Sequence, residues 1–402
     1  MNPIRFPDGV HADRTRLRTA LVLLWLSGIA LRLTLLAVPP VIPLIHRDLD
    51  LSETQIGTLG TLPSLLLALA ALPGSLLIAR YGAKAALTVG LLLVGLGSAA
   101  RGLASDIAIL YLTTIVMSAG VAVMQPALPP LVRDWLPQRI GLATAVYANG
   151  LLLGETISVG LTIPLVLPLV GGSWRASFVV WGLPVVLTAL LVMLFSPRPI
   201  IGAGTGPSEA ARRWWPDWRD PMIWRLALML GCVNTDYFAT NTFLPDFLHA
   251  TGRPDLVSAA LTSINMSQLP ASFLMLGFTG RIALRAWPYV AVGLVNLASI
   301  IGMMAMGGAW IVFWAGLLGF ANAVGLILIL ALPPLLSRAE DVHRMAAAMF
   351  TISYPCAVAV SVIGGFAWDM TGIPMVAFVP IGICAFGLAV LPLTVDFRRR
   401  KE

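Results

Sequence analysis

A chain of 402 residues that is 58% hydrophobic and 11% charged, with a mean hydropathy of +0.88, is not a water-soluble domain, in which about a quarter of residues carry charge. It predicts a polytopic membrane protein. The formal net charge of +7 would point to nucleic acid in a soluble chain, but here the basic residues lie in short segments between apolar runs, where they set orientation, so no nucleic-acid partner is read.

Apolar runs long enough to cross a bilayer, about 20 residues each, recur along the chain. They lie at 20–45, 54–79, 85–104, 107–132, 140–168 and 174–195, and again at 222–248, 255–280, 287–306, 310–336, 345–370 and 373–395. Twelve helices in two sets of six are expected. Residues 1–19 read as a polar tail, and 20–45 as a single retained helix, too long for a removable signal and without a small-residue cleavage site. The expected units are therefore 1–19, a bundle over 20–195, a linker over 196–221, a second bundle over 222–395 and a basic tail over 396–402. The linker is rich in Gly, Pro and charge, and its Trp214, Trp215 and Trp218 are expected at the membrane interface.

Basic residues are distributed unevenly between the two ends of these runs. One end receives Arg80, Lys84, Arg133, Arg139, Arg225, Arg281, Arg285, Arg338, Arg344, the linker arginines and the basic residues of both tails; the other receives Arg47, Arg101, Arg175 and Arg253. Positive charge stays inside, so both termini and the linker are expected in the cytoplasm, in a bacterial inner membrane. An internal repeat supports the division: Ala127-Leu128-Pro129-Pro130-Leu131 recurs as Ala331-Leu332-Pro333-Pro334-Leu335, and Pro43 is echoed by Pro245.

The segment Arg80-Tyr81-Gly82-Ala83-Lys84 resembles the end of the loop signature of the major facilitator superfamily, with Ala79 where an acidic residue is usual. Leu31-Arg32-Leu33-Thr34 with Pro39-Pro40-Val41-Ile42-Pro43, and the stretch 128–158, resemble the cyanate permease and 2-nitroimidazole transporter family, whose first helix carries a similar Arg. The resemblance implies an all-α membrane protein with twelve transmembrane helices in two pseudo-symmetric six-helix bundles. Spans one, four, seven and ten would line a central cavity, with two, five, eight and eleven beside them.

Arg32 is the charge at the centre of the first run. A guanidinium does not shed its charge, and at the bilayer centre it costs about 2.5 to 3.5 kcal/mol on insertion scales. It must face a partner, a water-filled cavity or an anionic ligand. The purely structural alternative is a permanent bond to a buried carboxylate. Glu155 and Asp236 are the acidic residues placed so deep, read as counterions to Arg32 or proton carriers; for Asp236 a local hydrogen bond between helices competes. Tyr147, Asn265, Gln268, Asn322 and Tyr354 complete the candidate substrate-binding set with Arg32, and Asn265 and Gln268 share a helix face. Such amides also bridge membrane helices, for about 0.6 to 2 kcal/mol each. Gly150 and Gly154, a small-xxx-small pair, read as a close-packing device.

No G-x-S-x-G, H-E-x-x-H or phosphate-loop pattern stands in a credible context, and Cys232, Cys356 and Cys384 lack metal-ligand spacing, so neither enzyme, metal nor cofactor is expected. The expected function is secondary transport of a small anion or weak acid by alternating access, with protons as the candidate coupling ion, in a monomer surrounded by lipid. The alternatives are an exporter of amphipathic drugs or nitroimidazole-like compounds and, in another class, a membrane-embedded sensor.

Overall fold

A computed structural model describes residues 8–51, 53–198 and 213–397. Most of the expected linker, 199–212, and the basic end of the tail, 398–402, lie outside the described residues. Among the described residues every regular element is helical, and the helices form twelve membrane-crossing segments in two bundles.

The first span departs from the expected single helix over 20–45. Its helix runs Asp8–Leu33, breaks, and resumes as a 3-10 turn Pro39–Val41 and a helix Ile42–Leu49. The sequence carries the reason. Pro39 and Pro40 have no N–H, so the carbonyls four residues earlier lose their helical donors, and the last regular bond is Leu36 N to Arg32 O at 3.0 Å. Spans two and three form one continuous stretch, Glu53–Arg101, that turns at Gly82. Its φ of 84° and ψ of 161° suit a residue without Cβ, so the charged segment 80–84 becomes a turn rather than a loop.

The remaining spans are Ile107–Met124 continued by Leu128–Trp135, then Ile140–Leu161, Trp174–Phe195, Pro221–Ala250, Val257–Ile282, Trp287–Ala305, Ala309–Leu330 continued by Leu332–Leu336, Val342–Thr371 and Val379–Val390. Three starts carry side-chain caps from Asp106, Ser173 and Asp220, which satisfy amides that lack intrahelical partners. Outward-facing Leu96, Leu183, Ile301, Phe313, Phe366 and Ile383 are exposed in the isolated chain, as suits a lipid-facing surface.

In hydrocarbon, helices associate through close packing more than through water exclusion, so small residues decide which backbones touch. Spans one and five meet this way. A Cβ on Gly150 would fall 2.3 Å from Trp25 O, and one on Gly154 2.3 Å from Ile29 O. The pair therefore lays span five directly along the helix that bears Arg32.

The two bundles also touch at the end of the molecule that carries the linker. There Arg133 donates to the carbonyl of Ser337, joining the residues that follow the two copies of the repeated Ala-Leu-Pro-Pro-Leu segment. A Cβ on Gly141 of span five would lie 2.5 Å from Gly280 Cα of span eight. The described end of the linker crosses the same face: Ser75 donates to Trp214 O at 2.8 Å, and Arg344 to Trp215 O at 3.3 Å.

Candidate functional site

Arg32 occupies the last turn of its helix, next to the break, and is half-buried. Its recess is narrow and lined by Leu35, Leu67, Val121, Gln125, Leu151 and Tyr354, side chains from both bundles. Phe238 of span seven presents its ring 5.8 Å from the guanidinium carbon. Glu155, Tyr237 and Tyr354 lie within electrostatic range, yet among the described residues no carboxylate forms an ion pair with Arg32. The permanent bond weighed from the sequence is not formed in this state.

Glu155 is engaged elsewhere. The Tyr237 hydroxyl lies 2.5 Å from Glu155 Oε1 and 2.5 Å from Asn265 Oδ1, spanning the cleft between the bundles. Asn265 donates through Nδ2 to Leu261 O at 2.8 Å and to Asn241 Oδ1 at 3.2 Å; Asn241 in turn donates to Tyr237 O at 2.8 Å. Two backbone carbonyls thus set the direction of the chain, because a carbonyl only accepts. Asn265 must present its oxygen to Tyr237, and the one hydroxyl proton of Tyr237 faces two acceptors. Gln268, one turn along from Asn265, stands near the Tyr237 hydroxyl.

Two further bonds join the bundles near Arg32. Gln125 Nε2 donates to the Tyr354 hydroxyl at 3.0 Å. Asn149 of span five accepts from Trp25 Nε1 at 3.0 Å and donates to Ser272 Oγ of span eight at 2.8 Å. Beyond Tyr354, a mostly apolar cavity of about 630 Å³ opens between the start of span two and span eleven, lined by Leu62, Leu65, Pro355 and Val358.

Asp236 takes a different direction from its neighbour Tyr237. It is fully buried and accepts from Asn296 Nδ2 at 2.8 Å; Asn296 also donates to Asn322 Oδ1 at 3.2 Å, and Asn322 donates to Val233 O at 3.1 Å. Asp236 and Asn322 therefore belong to a network that ties spans seven, nine and ten within the second bundle. Arg32, Glu155, Asn265, Gln268 and Tyr354 are brought together; Asp236 and Asn322 stand apart from them. Tyr147 is buried where span five packs on span one, its carbonyl 2.0 Å from where a Cβ on Gly28 would sit. Tyr237, Phe238 and Gln125 were not singled out in sequence. Gln125 had a signal, as the one amide of the fourth span; Tyr237 was overshadowed by the charge beside it.

Two helical bundles that meet across a polar cleft, with a half-buried cation at the meeting, have the architecture of a secondary transporter. The chain belongs to the Major Facilitator Superfamily, whose profile matches residues 24–359. It is a transporter and not an enzyme. It is 27% identical over 318 residues to the 2-nitroimidazole transporter of Escherichia coli (strain K12), covering 79% of each chain. To the cyanate transport protein CynX of the same organism it is 23% identical over 375 residues, 93% of this chain and 96% of that one. Among solved structures it shares the fold of the Major Facilitator Superfamily transporter FucP in the outward conformation, with a TM-score of 0.73 at 15% identity, covering 93% and 98% of the two chains.

Proposed function

We propose that this transporter carries a small anion or weak acid through one central site, by rocking of the bundles 20–195 and 222–395 about it. The observation that carries the proposal is Arg32: a guanidinium at membrane depth, free of any ion pair among the described residues, at the meeting of the two bundles. Such a group retains its cost of burial unless an anion or water meets it, and its planar fork matches a carboxylate or similar oxyanion. Gln125, Gln268 and the hydroxyls of Tyr237 and Tyr354 supply hydrogen bonds around the same point. The relatives named for cyanate and 2-nitroimidazole transport are consistent with a small planar substrate.

Glu155 is assigned the coupling proton. With Asn265 oriented by its two donations, Tyr237 donates to Asn265 and the contact to Glu155 is completed when the carboxyl brings its own proton. When the proton leaves, Glu155 becomes free to pair with Arg32 and displace the anion. The membrane assigned is the bacterial inner membrane, with both termini in the cytoplasm and the chain acting as a monomer.

The apolar cavity beside Tyr354 favours a second reading, export of amphipathic or nitroaromatic compounds. A thermal-shift screen of the purified protein against cyanate, nitrate, small carboxylates, 2-nitroimidazole and hydrophobic cations separates the two. A ligand at 100 times its Kd stabilises by about 2.7 kcal/mol. Anions are expected to stand out, and to lose their effect in Arg32→Ala. Stabilisation by hydrophobic cations alone overturns the anion assignment.

A further inference from the structure

The break in the first span is held on both sides by arginines. On the side away from Arg32, Asp48 accepts from Arg175 and from Trp174 Nε1, both at the start of span six. On the near side stands Arg101, the last residue of the stretch Glu53–Arg101. Its side chain is completely buried, although the sequence places it among the few basic residues of the sparsely charged end. Nη2 donates to Thr34 O at 2.8 Å and to Ser98 Oγ at 3.0 Å, and the guanidinium lies 4.2 Å from the centre of the Phe178 ring. Nε and Nη1 have no hydrogen-bond partner, and no carboxylate pairs with the group, among the described residues.

Thr34 is two residues past Arg32 and the first residue beyond the helix. In a continuing helix its carbonyl would accept from Val38 N, a bond the structure does not form among the described residues. An unpaired carbonyl inside a membrane is unfavourable, and a helix C-terminus carries partial negative charge, so a cation there meets both demands. Arg101 does not reach the cleft and is not a substrate contact.

We infer that Arg101 is a positioning residue for the central site: by capping Thr34 it fixes where the first span stops being helical, and so where the turn bearing Arg32 is held. The role of that turn in binding rests on the anion assignment above; the capping does not. Removing the cap leaves Thr34 O to seek another donor, which unwinds or shifts the last turn and carries Arg32 with it. The loop that forms the break then opens more often.

Hydrogen exchange by mass spectrometry on the full-length protein in nanodiscs tests this at the amides of residues 33–38. Arg101→Met, which keeps the apolar packing on Phe178, is expected to speed exchange there about tenfold or more, the loss of a charge-assisted bond. Arg101→Lys keeps one donor and should restore most of the protection. Ser98→Ala, which spares the Thr34 bond, should change it little. Should Arg101→Met fail to fold, Arg101→Gln, whose shorter side chain draws the donor back from Thr34 O, takes its place: capping requires faster exchange at 33–38 in Arg101→Gln than in Arg101→Lys or Ser98→Ala, and equal rates in the three overturn it. Equal acceleration in 33–38, 94–101 and 174–182 also overturns it, since that pattern reports lost packing.

Binding is read in parallel with sodium cyanate as the probe. Arg101→Met should weaken cyanate stabilisation about tenfold, with Arg101→Lys within about threefold of the parent. If the parent and Arg101→Met respond to cyanate equally while exchange at 33–38 differs, the link to Arg32 is overturned. If cyanate stabilises neither, cyanate is not the anion carried, and exchange alone decides the capping role.

Discussion

The Tyr237 hydroxyl lies 2.5 Å from Glu155 Oε1, joining span seven of one bundle to span five of the other beside Arg32. Tyr237→Phe removes the hydroxyl that bridges Glu155 and Asn265. The loss is expected to weaken anion binding by about 1 to 3 kcal/mol, the range for a buried polar group left without its partner. Glu155→Gln, which mimics the protonated side chain, should keep exchange between equal pools and lose accumulation driven by a pH gradient. Uptake into proteoliposomes with and without an imposed gradient measures both. Undiminished accumulation by Glu155→Gln would remove the proton from this residue.

Arg32 offers a second prediction because no ion pair is broken by its removal. Arg32→Leu should unfold at a higher temperature than the parent, since an isolated cation at the bilayer centre costs about 2.5 to 3.5 kcal/mol on insertion scales. Transport should be abolished. Arg32→Lys keeps the charge but not the planar fork, and should reduce uptake at least about tenfold. A variant lower in unfolding temperature would show that the guanidinium is structurally bonded after all.

Asp236 and Asn296 define a third. Asn296→Ala strips the partner from a fully buried carboxylate oxygen and is expected to destabilise the protein by about 1 to 3 kcal/mol, read as a lower midpoint of thermal unfolding. Asp236→Asn should leave gradient-driven uptake intact, because the side chain faces its own bundle. If Asp236→Asn abolishes accumulation while Glu155→Gln does not, the proton passes through Asp236.

The contact of Gly141 with Gly280 is a steric test of the rocking motion. A side chain at 141 cannot enter that space, so Gly141→Leu should bar closure at the linker end. Turnover is expected to fall about tenfold or more, while stabilisation by a bound anion is retained. Loss of both together would indicate misfolding instead of a trapped state.

Orientation is tested with reporters. Fusions after Glu402 and near Gly204 should report cytoplasm, and an insertion near Gly252 the opposite side. Opposite locations for the two termini would contradict the assigned topology.

What the amino-acid order determined here is whatever depends on composition along one dimension. Twelve apolar lengths produce twelve helical membrane-crossing segments, because a spanning segment must satisfy its own backbone whatever its neighbours are. Gly150 and Gly154 mark a close-packing face on span five, although that its partner is span one came only from the packing. The break after Leu33 was also written in the chain, as Pro39-Pro40, but the length of the apolar run masked it. Only the tertiary structure decided which face each polar residue turns to. Asp236 and Tyr237 are neighbours in sequence, yet about 100° of helical rotation separates a bond inside one bundle from a bond across the cleft. The partners of Tyr237, Gln125 and Arg101 lie on other spans, 82, 229 and 67 residues away in the chain for Glu155, Tyr354 and Thr34. No local pattern records a contact at that separation, because it exists only once the helices have packed.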